Sequence, residues 1–226
     1  MRGLNMNQIK VTPIAVTQPI VDFIPDSEGL LSYCARVSNP SNQLNFDTAD
    51  KLLKYCGEHG HWSVFEMANV ILHVEAPRDI SRQLLRHRSG AFQEFSQRYA
   101  DVTTDMFCLR ELRMQDEKNR QHSVELPPEH EWHKEWEDDL NALIQLQIVL
   151  ANKWRERNAA KECVRVMYSE GLTMSSMFVN FNVRSLMHYI GVRSGNGTQK
   201  EHVDVALKAL DAVKPLFPAS FHYFGE

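Results

Sequence analysis

The stretch that most constrains this chain is "ANVILHVEAPRDISRQLLRHR", residues 68–88. Val70, Leu72 and Val74 alternate with Ile71, His73 and Glu75, the two-residue period of a strand with one buried face. Pro77 ends it, because proline has no N–H to give a sheet ladder, yet its fixed φ suits the first turn of a helix. A strand running straight into a helix is therefore expected, with Ile80, Leu84 and Leu85 as the helix's apolar face. That helix carries Arg78, Arg82 and Arg86 at four-residue spacing, so the three guanidinium groups stand in one row. Like charges at this spacing cost an isolated helix roughly 0.2–0.5 kcal/mol per pair. Acidic neighbours (Glu75, Asp79, Glu94) or a bound anion must offset that, and the spacing alone leaves both open.

The row is out of keeping with the rest of the chain, whose formal net charge is −4 and whose pI is about 6.2. Such a balance argues against a general nucleic-acid binder, which carries a basic domain. The 226 residues, 43% hydrophobic and 24% charged, fit an ordinary globular protein with a sizeable core. No apolar run approaches the roughly 20 residues that span a bilayer. The opening "MRGLNMNQIK" does not read as a secretory leader, and Met6 is a candidate second start. Cys34, Cys56, Cys108 and Cys163 form no C-x-x-C pair, so reduced thiols, mostly in the core, are expected. His59 and His61 have no third ligand in view, and no metal site is expected.

Elsewhere, "QIKVTPIAVTQPI" mixes β-branched residues with prolines and reads as an edge strand. "SEGLLSYCARVS" and "TADKLLKYCGEHG" read as helices, the second preceded by Asp47 and ended by Gly57 and Gly60. The polar, charged 112–128 stretch with Pro127 and Pro128 reads as a solvated loop. A long amphipathic helix is expected over about 129–157. Its packing stripe is Trp132, Trp136, Leu140, Leu143 and Leu150, with Ile144 and Ala151 beside them. "SSMFVNFNVRSLMHYIGVR" reads as a second strand passing into a helix, with Asn180 or Asn182 as its N-cap. After the loop "RSGNG", residues Val203, Ala206, Leu207, Leu210 and Val213 make one face of a last helix that Pro215 stops. The class is α/β (α+β), a single mixed domain over 1–226 with a small central sheet flanked by long helices. No G-x-G-x-x-G and no P-loop pattern is present.

A second basic cluster, Asn182, Arg184, His188 and Arg193, lies on "NVRSLMHYIGVR". Arg184 and His188 are four apart and share a helix face. Arg193 sits at the helix end beside a Gly-rich loop, well placed to reach a ligand.

At these residues the chain resembles a known family. "RHRSGAFQEFS" is Arg86-His87-Arg88, seven residues, then Ser96, similar to the R-H-R-x7-S signature of the flavin-dependent thymidylate synthases. "HWSVFE" resembles that family's His-x-Ser/Thr-x-Phe-Glu turn, "NVRSLMHYIGVR" its N-x-R-S-L…R segment, and "CARVS" its N-terminal block. The blocks appear in family order over residues 32–199.

The resemblance implies conversion of dUMP to dTMP, with 5,10-methylenetetrahydrofolate supplying the carbon and FAD, reduced by NADPH, the hydride. It implies a homotetramer of mixed α/β subunits whose active sites are shared, and a cytoplasmic setting, or the host cytoplasm for a viral protein. Flavin contacts fall to Ser38, His61, Ser63, Arg86, His87, Arg88, Glu94, Asn182, Arg184 and His188. Contacts to dUMP fall to Gln83, Leu84, Leu85, Arg86, Glu94, Phe95, Ser96, Gln97, Arg98, Arg165 and Arg193. Arg193, the expected catalytic residue, holds the uracil ring and favours its ionised form. Ser96 reads as a hydrogen-bond donor to substrate phosphate rather than a nucleophile. His188 stands where the family often has Asn, the segment after Arg165 lacks the family's Leu-Pro, and 112–128 has no clear counterpart.

Guanidinium groups suit the phosphates of both ligands. A cation beside a ring gaining negative charge acts where charge develops. Two enzyme-free readings remain as alternatives: an Arg-rich nucleic-acid-binding module, and a structural oligomer with an internal Arg–Glu network that binds no flavin. A cysteine-dependent thymidylate synthase would need a Pro-Cys-His context that none of the four cysteines has. No nucleic-acid and no membrane partner is expected.

Overall fold

The computed structural model describes residues 9–195, 197–222 and 224; the candidate start at Met6, Gln8 of the expected edge strand and Asn196 of the Gly-rich loop lie outside them. The chain runs β1 (Lys10–Val16), α1 (Ser27–Ala35), α2 (Ala49–Glu58), β2 (Asn69–Pro77), α3 (Arg78–Leu84), β3 (Ala91–Glu94), β4 (Arg113–Gln115) and β5 (Ser123–Glu125). It continues through α4 (Trp132–Glu156), α5 (Lys161–Val164), β6 (Met174–Asn182), α6 (Val183–Arg193) and α7 (Lys200–Val213).

Four strands form an antiparallel sheet in the order β1-β2-β6-β3. The class is therefore α+β. Strand β1 lies at the edge, and its register shifts between Pro13 and Ala15, where a residue without an N–H is tolerated. Strand β2 pairs with β6 along its whole length, from Asn69 opposite Asn182 to Pro77 opposite Met174. Both strands pass directly into helices, so α3 and α6 start at opposite ends of this central pair.

The expected alternation appears on β2: Val70, Leu72, Val74 and Ala76 are buried, and Met177, Val179 and Phe181 of β6 join them. Leu31, Leu53, Leu186, Tyr189, Ile190, Val205, Ala209 and Val213, from α1, α2, α6 and α7, complete this core. Each such side chain contributes about 1.5–3 kcal/mol by leaving water. The opposite face, where Phe178 is 45% exposed, is open in a single chain. Glu28 in the first turn of α1 accepts from the N–H groups of Ala219 and Ser220 and from Ser220 Oγ, tying the chain's end to its beginning.

Several expectations are corrected. The one long helix, α4, packs not on the sheet but in a separate cluster with Val102, Phe107, Leu109 and Leu172. Its buried stripe is Leu140, Ile144, Gln147 and Ala151, whereas Trp132, Trp136 and Leu143 are exposed. Trp136 is held differently, its indole N–H donating to Arg110 O at 2.7 Å, the polar handle that an apolar periodicity ignores. On α7 the buried stripe is His202, Val205, Ala206, Ala209, Leu210 and Val213; Leu207 points out. Gly57 is inside α2, and Gly60, at φ +72°, follows its end. Asn182, not Asn180, caps α6, its Oδ1 accepting from Ser185 N at 2.7 Å.

The charged 112–128 stretch holds the β4–β5 hairpin rather than a plain loop. Ion pairs dock it on α7: Arg113 to Glu201 at 2.8 Å, and Glu125 to Lys200, which also meets Glu111 just before the hairpin at 2.9 Å. Cys56 and Cys108 are buried, Cys34 half-buried and Cys163 exposed. Burial pushes the Cys108 thiol up to about 11.

Candidate active site

The arginine row of α3 meets two different environments. Arg78, 8% exposed, has its guanidinium 3.5 Å from Glu94 and 3.6 Å from Glu170. Arg82 lies 3.0 Å from Glu94 and 3.5 Å from Glu170. Ser175 Oγ donates to Glu94 Oε1 at 2.7 Å. Burial draws the Arg78 pKa down, against the pull of Glu94, and the charges of Arg82 and then Arg165 add to the lowering. Arg78 and Arg82 are thus committed to carboxylates inside the chain.

Beyond Leu84, which is 2% exposed, α3 gives way to a tight turn. His87 N donates to Leu84 O at 3.1 Å and Gly90 N to His87 O at 3.1 Å. Arg86 and Arg88 point to solvent, and among the described residues their guanidinium groups meet no hydrogen-bond or ion-pair partner. His87 between them turns inward. Its Nε2 accepts from Arg193 Nε at 2.9 Å, and its ring lies perpendicular to that of Tyr189 at 4.9 Å. Burial, then the charge of Arg193, brings the His87 pKa down to about 4, so the imidazole is neutral near pH 7. The turn closes this tightly because residue 90 is glycine: a Cβ there would sit 2.5 Å from Phe181 Cε1, and Phe181 is buried and cannot yield.

A part-buried polar chain lies behind this pair. His202, 0% exposed, faces Gln83 Oε1 through Nδ1 at 3.2 Å. Gln83 Nε2 donates to Gln199 Oε1 at 2.8 Å, and Gln199 Nε2 to Glu201 Oε2 at 3.0 Å. His202 Nε2 and Tyr189 Oη are buried with no partner among the described residues. Burial, then Arg193 and His87, lowers His202 to about 3. Burial lifts the Tyr189 hydroxyl above the ordinary tyrosine range.

Helix α6 and the short helical turn Trp62–Glu66 enclose a cleft of about 770 Å³, within the usual size of small-molecule sites. Asn182, Arg184 and His188 line it with Trp62, Glu66, Ser89 and Gly191. The N-terminus of α6 opens at its wall, a natural place for an anion. Arg184 pairs with Glu66. The Asn182 side chain spends its oxygen on the helix cap, which leaves its NH₂ as a donor. An aromatic face, a cation and amide donors fit a flavin nucleotide. A second cleft of about 400 Å³ lies between the hairpin and α7, near Arg110, Lys200 and Asp204; Arg110, Arg113 and Lys200 there are paired with Glu201 and Glu111.

The structure brings only some of the expected site residues together. Asn182, Arg184 and His188 come together on the large cleft, and His61 and Ser63 stand exposed on either side of Trp62. Ser38, on the exposed turn after α1, does not line this cleft, and His87 faces Arg193 instead. Among the expected dUMP contacts, Arg193 reaches the basic turn, and Arg86 belongs to it. Gln83 engages both ends of its amide within the chain. Leu84 belongs to the core and Leu85 packs against it, so neither offers an exposed side chain. Glu94 is occupied by Arg78, Arg82 and Ser175.

The 94–98 segment continues β3, with Phe95 N donating to Ser176 O at 2.8 Å. Gln97 is 7% exposed and its Nε2 has no partner among the described residues. Arg98 lies 3.4 Å from Glu162, and Arg165 is exposed. Ser96 Oγ accepts from Arg98 N at 3.3 Å, and no imidazole or carboxylate of the described residues bonds it, so it has no base to activate it. Trp62, Glu66, Ser89 and Glu170 were not singled out by sequence. Glu66 ends the His-x-Ser-x-Phe-Glu block and was legible there; Glu170 carried no local signal.

A family model described as thymidylate synthase complementing protein matches residues 19–219. A probable flavin-dependent thymidylate synthase of Paramecium bursaria Chlorella virus 1 is 43% identical over 210 residues, covering 92% of this chain and 93% of the relative. A flavin-dependent thymidylate synthase of Synechocystis is 41% identical over 209 residues, covering 91% and 94%. The fold is similar to a UMP/dUMP methylase, PolB from Streptomyces cacaoi, solved with 5-Br UMP, with a TM-score of 0.82 at 22% identity over 98% of this chain and 96% of that one. With the R-H-R-x7-S turn in place and the matched region spanning nearly the whole chain, the protein belongs to the flavin-dependent thymidylate synthase family.

Proposed function

We propose that this chain is a flavin-dependent thymidylate synthase, acting as one domain over 1–226, that methylates dUMP to dTMP. The observation that carries the reading is how the two basic clusters meet. Within the turn of Arg86, His87 and Arg88, His87 meets α6 at Arg193 and at Tyr189, and the next residue, Ser89, lines the cleft of Asn182, Arg184 and His188. Two exposed, uncompensated arginines in an acidic chain, on the turn that leads into that cleft through Ser89, suit phosphorylated ligands.

In this reading the cofactor is FAD, which supplies the hydride. Arg184, Asn182 and His188 hold it, with Trp62 offering a ring face. Arg86, Ser96, Arg98 and Arg165 hold the phosphate and sugar of dUMP. Arg193 presents its Nη edge to the uracil ring, where it stabilises negative charge as the ring is activated. The carbon donor is 5,10-methylenetetrahydrofolate and the reductant NADPH. The assembly is a homotetramer in the cytoplasm, with sites completed between subunits. Two surfaces support that: the open sheet face with Phe178, and the outer face of α4, where Leu146 is 54% and Val149 61% exposed. No described helix is long and apolar enough to cross a membrane.

The test is the absorption spectrum of the purified protein together with dTMP formation from dUMP, methylenetetrahydrofolate and NADPH. Flavin bands released on denaturation and product formation are expected. In Arg193→Ala, product formation is abolished and flavin is retained. A protein that stays colourless after addition of FAD overturns the reading.

A further inference from the structure

We infer that His87 is a positioning residue: it accepts a hydrogen bond from Arg193 and so fixes how that arginine presents its guanidinium edge to the pyrimidine. This rests on the proposed role of Arg193 in binding dUMP. The guanidinium is always protonated, so its Nε can only donate. A 2.9 Å contact between Arg193 Nε and His87 Nε2 therefore requires a bare lone pair on His87 Nε2, with the ring proton on Nδ1. His87 is well suited to keep it. The ring is wedged against Tyr189 at 4.9 Å, and Tyr189 is stacked on Phe181 at 5.7 Å, so a rigid aromatic wall sets the imidazole's direction.

The contact falls on the inner edge of the guanidinium. The Arg193 Nη groups meet no partner among the described residues, so the outer edge is available for paired hydrogen bonds. An arginine side chain loses roughly 2 kcal/mol of rotamer freedom when it is ordered. A residue already held by His87 has lost part of that before the ligand arrives, which tightens binding. The triplet therefore divides its labour: Arg86 and Arg88 face outward, and the histidine between them serves a helix far away in the sequence.

The test is a double-mutant cycle on the flavin-loaded protein, using wild type, His87→Phe, Arg193→Ala and the double variant. Calorimetry gives dUMP affinity and absorbance gives flavin occupancy. His87→Phe is expected to weaken dUMP about tenfold, in line with the loss of a hydrogen bond to a charged group, with flavin occupancy unchanged. In the Arg193→Ala background the same change is expected to do nothing further. An equal tenfold loss in both backgrounds overturns the inference, as does a variant that loses flavin but keeps its dUMP affinity. If wild type binds no dUMP, or Arg193→Ala binds it normally, the proposed role of Arg193 fails first and takes this inference with it.

Should His87→Phe not fold, His87→Gln and His87→Asn decide. The Gln carbonyl reaches the Nε2 position and keeps dUMP affinity, whereas the shorter Asn does not and loses it. Equal affinity in the two variants overturns the inference.

Discussion

The basic residues of this chain divide into an inward set and an outward set. Arg78, Arg82, His87 and His202 face inward and are answered by the protein itself: two by Glu94 and Glu170, one by Arg193, one by Gln83. Arg86 and Arg88 face solvent, and His188 is exposed on the wall of the large cleft. Arg82 and Arg86 are one helical turn apart in sequence, yet one is structural and the other is free for a ligand. Along this row composition therefore says little about the role of a charge; whether a carboxylate of the chain lies within reach separates Arg78 and Arg82 from Arg86.

The strongest way to break this division is Glu94→Gln. It leaves Arg78 almost fully buried, with only Glu170, itself 55% exposed on its side chain, as a countercharge. Stability is expected to fall by about 3–5 kcal/mol, the usual cost of orphaning a buried charge, read as a lower urea midpoint. A loss under about 1 kcal/mol would show that Glu170 suffices.

The inward histidines give the next effect, which depends on pH. His202 is held at about 3 in the folded protein, below the roughly 6.5 of an unfolded chain. Between those values the unfolded chain binds the proton and the folded one does not. Stability is therefore full above about pH 6.5 and declines as pH falls toward 3, by up to about 1.4 kcal/mol per pH unit for this group. His87, at about 4, acts in the same direction. Urea unfolding at pH 7.5 and pH 5 should show the loss, and His202→Asn, which keeps a donor for Gln83, should reduce it. An unchanged difference in the variant would assign the acid sensitivity elsewhere.

The outward set is expected to be nearly silent in stability. Arg86→Ala and Arg88→Ala should each shift unfolding by no more than about 0.5 kcal/mol. Both should weaken phosphorylated ligands, with dUMP and flavin titrations as the readout. A large destabilisation would move these arginines into the inward set and sharpen the boundary between the two.

Much of this was legible in the residues. The alternation of β2, the break at Pro77, the edge character of β1 and the helix of Arg184 and His188 all follow from local periodicity and from proline chemistry. The stripe of α4 was misread because tryptophan weighs heavily in an apolar pattern although Trp136 is fixed by its N–H. Strands β3, β4 and β5, of four, three and three residues, are too short to carry an alternation. In the site, Asn182, Arg184 and His188 could be grouped because they share one helix. The partners Glu170, Gln199 and His202 could not, since each meets its target across a long separation in the chain.

By itself, the sequence determined the order of the family blocks, the two strand-to-helix passages and the wealth of arginine around them. These are local properties, set by backbone sterics and side-chain period. Only the tertiary structure decided which arginines were neutralised and that His87 would face Arg193 rather than solvent. Electrostatic compensation depends on distance through space and on burial, and neither is a function of position along the chain.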